Sequence, residues 1–336
     1  MIMKTAFFEV KEWEKEYLQN HFSPAEAVFF AEKLSVENAA LAKDCRIVSV
    51  FVDSAVDAHV LAALADLKMV AVRATGYDNV DVAYCKEKGI TVCNVPFYGE
   101  NTVAEHTFGL ILALSRKMYQ SVDKVKEEGF AVAIDEFRGF DLKGKVLGVV
   151  GMGHIGQHVA RMAQGFEMKV VAFDAHEDKK LAKKLGFVYV SLEELLKSAD
   201  IITLHVPYNE HTRHLINSQN IHIIKKGAYI INTARGGIIE TAALVEALAE
   251  GIIVGAGLDV LEEEAFIKEE AHLLSKNYSQ KSDMKTMLQN HILMDRKNVI
   301  ITPHNAFNST EALERILETT VENVKSFIEG KSVNVV

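Results

Sequence analysis

The chain has no run of roughly 18 uncharged apolar residues, so no segment reads as a transmembrane helix. It has 3 cysteines, Cys45, Cys85 and Cys93, which form neither a CxxC pair nor an even set. A disulfide scaffold is thereby excluded, and buried reduced thiols in a reducing cytoplasm are expected. With 4 prolines and 20 glycines, collagenous and Pro-rich chains are excluded as well. Positive charge is in deficit, 37 Lys and Arg against 46 Asp and Glu, for a net charge of −9. No clustered basic face is expected, which argues against nucleic acid or an anionic membrane as partner. No His/Cys/Asp cluster has metal-ligand spacing, so no metal is expected. Residues 1–15 alternate charge with short apolar runs and lack the continuous apolar core of a secretory signal. What is present is a globular composition, 336 residues with 49% hydrophobic and 25% charged, enough for about two domains.

Short runs rich in Val, Ile and Phe recur, among them 46–52, 69–74, 145–150, 169–174, 201–206, 228–234, 253–260 and 298–302. Most are nearly continuous in apolar residues, as parallel strands covered on both faces must be. Stretches with helical spacing alternate with them, for example 55–67, 104–127, 154–166, 192–198 and 242–250. The alternation predicts right-handed βαβ units and an α/β fold. Pro96, Pro207 and Pro303 each follow a strand candidate. Proline ends strands because it cannot donate to the ladder. Three such loops are equally consistent with the carboxyl edge of an open sheet, where α/β folds bind ligands.

The strongest local signal is Gly151-Met-Gly153-His154-Ile155-Gly156, after the strand candidate 145–150 and before a helix with apolar positions Ile155, Val159, Met162, Ala163 and Phe166. Such a glycine-rich turn lets the chain double back, brings backbone close to a pyrophosphate and packs helix on strand. The N–H groups of His154 and Ile155 would offer partial positive charge to the phosphates. The next strand candidate ends in Asp174, 18 positions beyond Gly156. A carboxylate there accepts from ribose hydroxyls and repels a 2′-phosphate, which favours NAD over NADP.

Three later segments carry polar groups where an apolar run gives way to a loop: Asn232-Thr-Ala-Arg235-Gly-Gly, Asp259-Val-Leu-Glu262-Glu263-Glu264, and Thr302-Pro-His304-Asn-Ala-Phe307. Taken singly, Arg235 reads as a surface cation, 262–264 as a solvated charge run and His304 as a strand-end polar residue. Taken together after a dinucleotide fingerprint, a guanidinium, a carboxylate and an imidazole are the set that reduces a 2-keto acid beside a nicotinamide.

With these motifs, LHVP at 204–207, the segment Arg73-Ala-Thr75-Gly76 and the 101–106 segment, the chain resembles the NAD-dependent D-isomer-specific 2-hydroxyacid dehydrogenases over essentially its whole length. The resemblance implies two Rossmann-like lobes with parallel sheets and a cleft between them. The NAD-binding domain, 101–304, would be inserted into a discontinuous, flavodoxin-like substrate domain, 1–100 and 305–336, with long helices near 102–118 and 309–328 as hinges. It implies that His304 donates a proton, since imidazoles titrate near neutrality, and that Glu264 holds it and stabilises its cation. Arg235 would bind the substrate carboxylate and polarise the carbonyl with paired donors. Glu262 and Glu263 are expected in solvent. The N–H groups of Thr75 and Gly76 would take the carboxylate, with Tyr98 adding a hydroxyl and Phe307 bordering the substrate side chain; Phe51 reads equally as a border of that pocket or as core packing. Val206, Pro207, Thr233 and Ala234, with the Thr212 hydroxyl, would line NAD, and Asp259 would act on the cofactor side or position Arg235 rather than carry a proton. His205 is expected as a polar strand-end group near the nucleotide.

Within the family, His304-Asn-Ala-Phe307 and Phe97-Tyr98 are similar to the lactate branch, implying pyruvate as substrate, although Gly99-Glu100 stand where that branch carries Ser-Pro. A relative acting on a bulkier keto acid (hydroxyisocaproate-type) or on hydroxypyruvate is the near alternative. The C-terminal binding protein corepressors, which sense NAD to recruit partners, are the non-enzymatic one. A cytoplasmic homodimer joined through the NAD lobes is the family expectation. The polar stretch 261–298 shows helical spacing at Met284, Met287, Leu288, His291 and Ile292 and carries no functional reading.

Overall fold

A computed structural model of the chain describes residues 3–130, 133–264 and 284–336. It divides into two compact units, one of Met1–Gly99 with Asn308–Val336 and one of Glu100–Phe307. The breaks fall at 99/100 and 307/308, against expected breaks at 100/101 and 304/305.

The first unit is a parallel sheet of β1 (Thr5–Phe7), β2 (Ala27–Phe29), β3 (Ile47–Val50), β4 (Met69–Val72) and β5 (Thr91–Cys93), in the order β2-β1-β3-β4-β5. This is the flavodoxin-like order. The inner strands β3 and β4, Ile-Val-Ser-Val and Met-Val-Ala-Val, are buried at every position. Helices α1 (Glu12–Gln19), α2 (Ala58–Ala63) and α3 (Val82–Lys88) follow or precede strands, and the C-terminal helix α11 (Thr310–Ile328) packs on β4 and α1. α11 turns Leu317, Val321 and Val324 into a core with Phe7, Leu18 and Met69. Each such fully buried side chain contributes about 1.5–3 kcal/mol through lost apolar hydration. Ser309 caps α11 by accepting from the Ala312 N–H at 3.2 Å, satisfying one of the donors a helix start leaves over.

The second unit is a seven-stranded parallel sheet of β6 (Val146–Val150), β7 (Lys169–Phe173), β8 (Val188–Tyr189), β9 (Ile201–Leu204), β10 (Ala228–Asn232), β11 (Ile253–Leu258) and β12 (Val299–Ile301), ordered β12-β11-β10-β9-β6-β7-β8. The chain reverses direction of travel between β6 and β9, the switch point at which doubly wound sheets bind dinucleotides. Its helices are α4 (Glu100–Ser115), α5 (Met118–Glu128), α6 (His154–Gly165), α7 (Lys179–Lys184), α8 (Leu192–Ser198), α9 (Thr241–Ala249) and α10 (Met284–Met294). β9, Ile-Ile-Thr-Leu, is buried throughout.

Two readings of local pattern need correction. The single helix expected over 104–127 is two, because Lys117 adopts a left-handed backbone (φ 49°) and Ser115 O, which a continuing helix would use, instead accepts the Phe140 N–H at 2.9 Å. The edge strand β2, whose three residues pair with β1, was not among the strand candidates read from the sequence. Of the stretch 261–298, the positions Met284 to Ile292 form α10, while 265–283 lie outside the described residues.

Candidate active site

β6 ends in Gly151 at φ 97°, a backbone disfavoured for side chains, whose N–H donates to Phe173 O at 2.8 Å. A Cβ on Gly151 would collide with the His205 carbonyl carbon at 2.7 Å, and one on Gly156 would strike Gly151 O. At Gly153, by contrast, a Cβ would meet nothing within 4 Å. Two glycines are therefore demanded by the turn's own packing, and the third keeps open the side from which a ligand must approach. Gly153 is the N-cap of α6 in extended conformation, and no side chain caps the helix, so its N-terminal partial charge is available to an anion. Asp174, just past β7, accepts from the Met152 N–H at 2.7 Å and the His176 N–H at 2.8 Å. A carboxylate has about four acceptor sites, so two remain for hydroxyl groups. This loop, an open face opposite a carboxylate, fits a dinucleotide.

The loops after β9, β10, β11 and β12 bring polar groups to the same carboxyl edge. His205 follows β9, its Nε2 lies 2.9 Å from Thr203 Oγ1, and its Nδ1 is buried without a partner among the described residues. Burial pushes this imidazole down to about 3, so it is neutral and no acid near pH 7. The Thr212 hydroxyl donates to Pro207 O at 2.5 Å and accepts from the Asn209 N–H at 2.9 Å, closing the loop after β9 on itself. Thr233 is 8% exposed and its hydroxyl lies 3.0 Å from Thr107 Oγ1, which itself donates to Val103 O; only its backbone can face a cofactor.

Arg235 leaves β10 in extended conformation with Nη1 donating to Ala234 O at 2.8 Å. Asn232 shapes this turn, accepting from the Ala234 N–H at 3.0 Å and donating to Arg235 O at 2.9 Å. After β11, Asp259 is 1% exposed and acts as a hub. Its carboxylate accepts from the Thr302 hydroxyl at 2.5 Å and from the N–H groups of Asn305 at 3.0 Å and Ala306 at 2.8 Å. Its carbonyl accepts the His304 N–H at 2.8 Å. Thus one buried carboxylate holds the loop after β12 in place, and that loop presents His304 at φ 52°.

His304 Nδ1 lies 2.6 Å from Glu264 Oε1. Since a carboxylate only accepts, Nδ1 carries the proton, and Nε2 is the nitrogen left for chemistry. The pair is 25% and 31% exposed, reachable by a small molecule yet partly desolvated. His106 of α4, which sequence reasoning passed over, lies 3.0 Å from Thr302 Oγ1 and 3.5 Å from Asp259 Oδ1. Because Thr302 gives its hydrogen to Asp259, His106 Nε2 is the donor to Thr302. Glu262, expected in solvent, is instead 17% exposed and sits 2.5 Å from His214 Nε2; its place in an acidic run concealed this.

The family model described as D-isomer specific 2-hydroxyacid dehydrogenase, NAD binding domain, matches residues 108–306. The chain belongs to that family. As such it is an NAD-dependent D-2-hydroxyacid dehydrogenase. Among its relatives, the 2-hydroxyacid dehydrogenase homolog of Zymomonas mobilis is 35% identical over 98% of both chains. The D-lactate dehydrogenase of Escherichia coli is 34% identical over the same shares. The solved structure of D-lactate dehydrogenase from Aquifex aeolicus, complexed with NAD and lactic acid, superposes with a TM-score of 0.87 at 36% identity, covering 97% of this chain and 96% of that one.

The first unit of this dehydrogenase holds Thr75, Gly76, Tyr98 and Phe51, while Phe307 belongs to the second. Thr75 and Gly76 follow β4; the Thr75 hydroxyl donates to Val95 O and its carbonyl accepts from Asn94 Nδ2, both at 2.8 Å. Among the described residues no protein acceptor takes the N–H of either. Tyr98 is half-buried and its carbonyl accepts from Arg315 Nε at 2.6 Å. Phe51, also half-buried, is clamped by its backbone, its N–H donating to Glu9 Oε2 and its carbonyl accepting from Asn79 Nδ2, each at 2.9 Å. Phe307 lies half-buried at the end of the second unit. Glu9 and Arg73 had no assigned part in sequence. Arg73, 1% exposed, donates to Phe8 O at 2.6 Å, Glu9 O at 2.9 Å and Ser49 Oγ at 3.1 Å, and burial lowers its pKa from the ordinary guanidinium value.

Proposed function

We propose that this enzyme is a D-lactate dehydrogenase, interconverting pyruvate and D-lactate. The observation that carries the reading is the His304–Glu264 contact at 2.6 Å on the edge that also presents Arg235, in a dinucleotide-binding unit. NADH, when bound, supplies hydride to the substrate carbonyl carbon. His304 Nε2 gives the proton that the developing alkoxide needs, and Glu264 stabilises the imidazolium before transfer and fixes its ring. Arg235 takes the substrate carboxylate in a forked pair of hydrogen bonds, which orients the carbonyl. The Thr75 and Gly76 N–H groups are further carboxylate donors, Tyr98 adds its hydroxyl, and Phe51 and Phe307 limit the substrate side chain. On the cofactor side stand Gly151, Gly153, His154, Ile155 and Gly156 for the pyrophosphate, Asp174 for the ribose, and Val206, Pro207, Thr212, Thr233, Ala234 and Asp259 along the nucleotide.

Preference for pyruvate is supported by the similarity to the two D-lactate dehydrogenases and by the Phe97-Tyr98 and His304-Asn-Ala-Phe307 segments. Specificity constants for pyruvate, 2-ketoisocaproate and hydroxypyruvate with NADH test it. Pyruvate is expected to lead, with D-lactate as product in a stereospecific assay. A higher constant for either bulkier acid, or L-lactate as product, overturns it.

A homodimer is supported by exposed apolar side chains on the second unit, among them Met118, Tyr119 and Val122 of α5, each 50% to 64% exposed. Light scattering is expected to give twice the chain mass, and Tyr119→Glu with Val122→Glu to halve it. A reducing cytoplasm is supported by the buried free thiols of Cys45, Cys85 and Cys93, the last two pushed up to about 11 by burial.

A further inference from the structure

We infer that Glu262 and His214 form a strut that holds the loop bearing Glu264 and the loop bearing Arg235 in one fixed arrangement. The inference rests on the roles proposed above for Glu264 and Arg235. The Glu262 carboxylate is committed at both oxygens. Oε1 accepts from His214 Nε2 at 2.5 Å, and Oε2 accepts from the Thr241 hydroxyl at 2.8 Å and its N–H at 3.2 Å, at the start of α9. The Glu262 carbonyl accepts from Asn290 Nδ2 at 2.8 Å, a fully buried side chain of α10. One residue, two positions before Glu264, is thus anchored to three separate segments.

His214 continues the connection to the other loop. Its N–H donates to Gly237 O at 2.8 Å, and its carbonyl accepts from Asn217 Nδ2 at 2.8 Å. Gly237 lies in the short 3-10 turn Gly236–Ile238 that Arg235 opens. Gly236 presses so closely on the backbone of Leu261 and Glu262 that a Cβ there would overlap them. The two loops therefore touch directly and are bridged by the His214–Glu262 pair beside that contact.

Backbone geometry points the same way. His214 (φ 50°), Glu263 (φ 57°) and His304 (φ 52°) all occupy the left-handed region. Residues other than glycine persist there when surrounding contacts over-determine them, and they gather at functional sites. Around His214 and Glu263, the Glu262–His214 pair, 17% and 29% exposed, supplies such contacts from partly desolvated positions, where a hydrogen-bonded charge is worth more than on a rim. Acting through Glu264 and Arg235, they are positioning residues.

The test compares E262A, E262Q, H214Q and H304Q in full-length enzyme. E262A is expected to lower kcat for pyruvate about 10–100-fold, the usual cost of a catalytic group displaced by about 1 Å, with NADH Kd by fluorescence within about threefold. E262Q, which keeps an acceptor for Thr241 and an amide opposite His214, is expected to recover most of that loss. H214Q serves as the milder variant should E262A fold poorly, with about a 3–10-fold loss, and its effect is expected not to add to that of E262A. Hydrogen exchange in E262A is expected to rise in both 232–240 and 258–264. Parent-like kcat in E262A or H214Q with H304Q inactive overturns the strut alone. So does exchange that rises in 258–264 only, or a kcat loss that E262Q fails to relieve. Parent-like kcat in H304Q removes the catalytic reading on which the strut depends.

Discussion

Both sheets end in charged residues at their carboxyl edges, and the two edges use them in opposite ways. In the first unit Arg73 is 1% exposed and donates only to main-chain carbonyls and a serine, while Glu9 binds the N–H groups of Phe51 and Asp53. Charge there is consumed by architecture, and backbone groups, the N–H of Thr75 and Gly76, are what the edge presents. In the second unit Asp259 does the architectural work at 1% exposure, whereas His304 and Glu264 stay 25% and 31% exposed. A buried charge must have its partners built in, because desolvation is costly. A reactive charge must leave one atom uncommitted. On the roles proposed above for His304 and Glu264, residual exposure, more than charge itself, separates the two uses.

That comparison can be broken most forcefully at His304. His304→Gln is expected to lower turnover by about 10²–10⁴ while leaving the melting temperature close to the parent's; a coincident collapse of stability would place His304 among the architectural charges. Arg73→Ala should do the reverse. It strands two carbonyls and a hydroxyl in a cavity, for a loss of about 3–4 kcal/mol in denaturant unfolding, and a stability change under about 1 kcal/mol would contradict the buried role.

His205 sharpens the contrast through pH. Its folded-state pKa is depressed to about 3 from the ordinary 6.5, so below pH 6.5 the unfolded chain binds a proton that the folded chain refuses. Stability contributed by the neutral imidazole is therefore complete above pH 6.5 and declines as the pH falls toward 3, by up to a few kcal/mol. His205→Asn should flatten that part of the pH–stability curve; an unchanged slope would mean that His205 is not the group responsible. The smallest effect is expected at Asp174. Asp174→Ala should narrow the preference for NADH over NADPH by roughly tenfold, about 1.4 kcal/mol, measured as a ratio of specificity constants, and an unchanged ratio would assign cofactor choice elsewhere.

Much of this was legible without coordinates where the cause is local. The glycine loop reads from sequence because Gly151, Gly153 and Gly156 answer to a turn and a helix start within six positions. Alternation of apolar runs with helical spacing announced the α/β class because each element must bury its own face. The break at Lys117 was not legible, since it depends on Phe140 claiming Ser115 O from 25 positions away. Glu262 looked like one member of a solvated acidic run, while Arg73 and His106 stood within motifs of the resemblance with no part assigned to either.

Periodicity, glycine spacing and residue chemistry, all readable along the chain, determined the kind of fold and the dinucleotide loop and named the candidates for reactive groups. The meeting of Glu264 with His304 was expected from family resemblance, and the structure shows it; tertiary structure alone decided two other pairings, Glu262 with His214 and Asp259 with the loop after β12. Those pairings join residues 40 to 48 positions apart, and hydrogen bonds act over a few ångströms in space, a distance that sequence order does not encode.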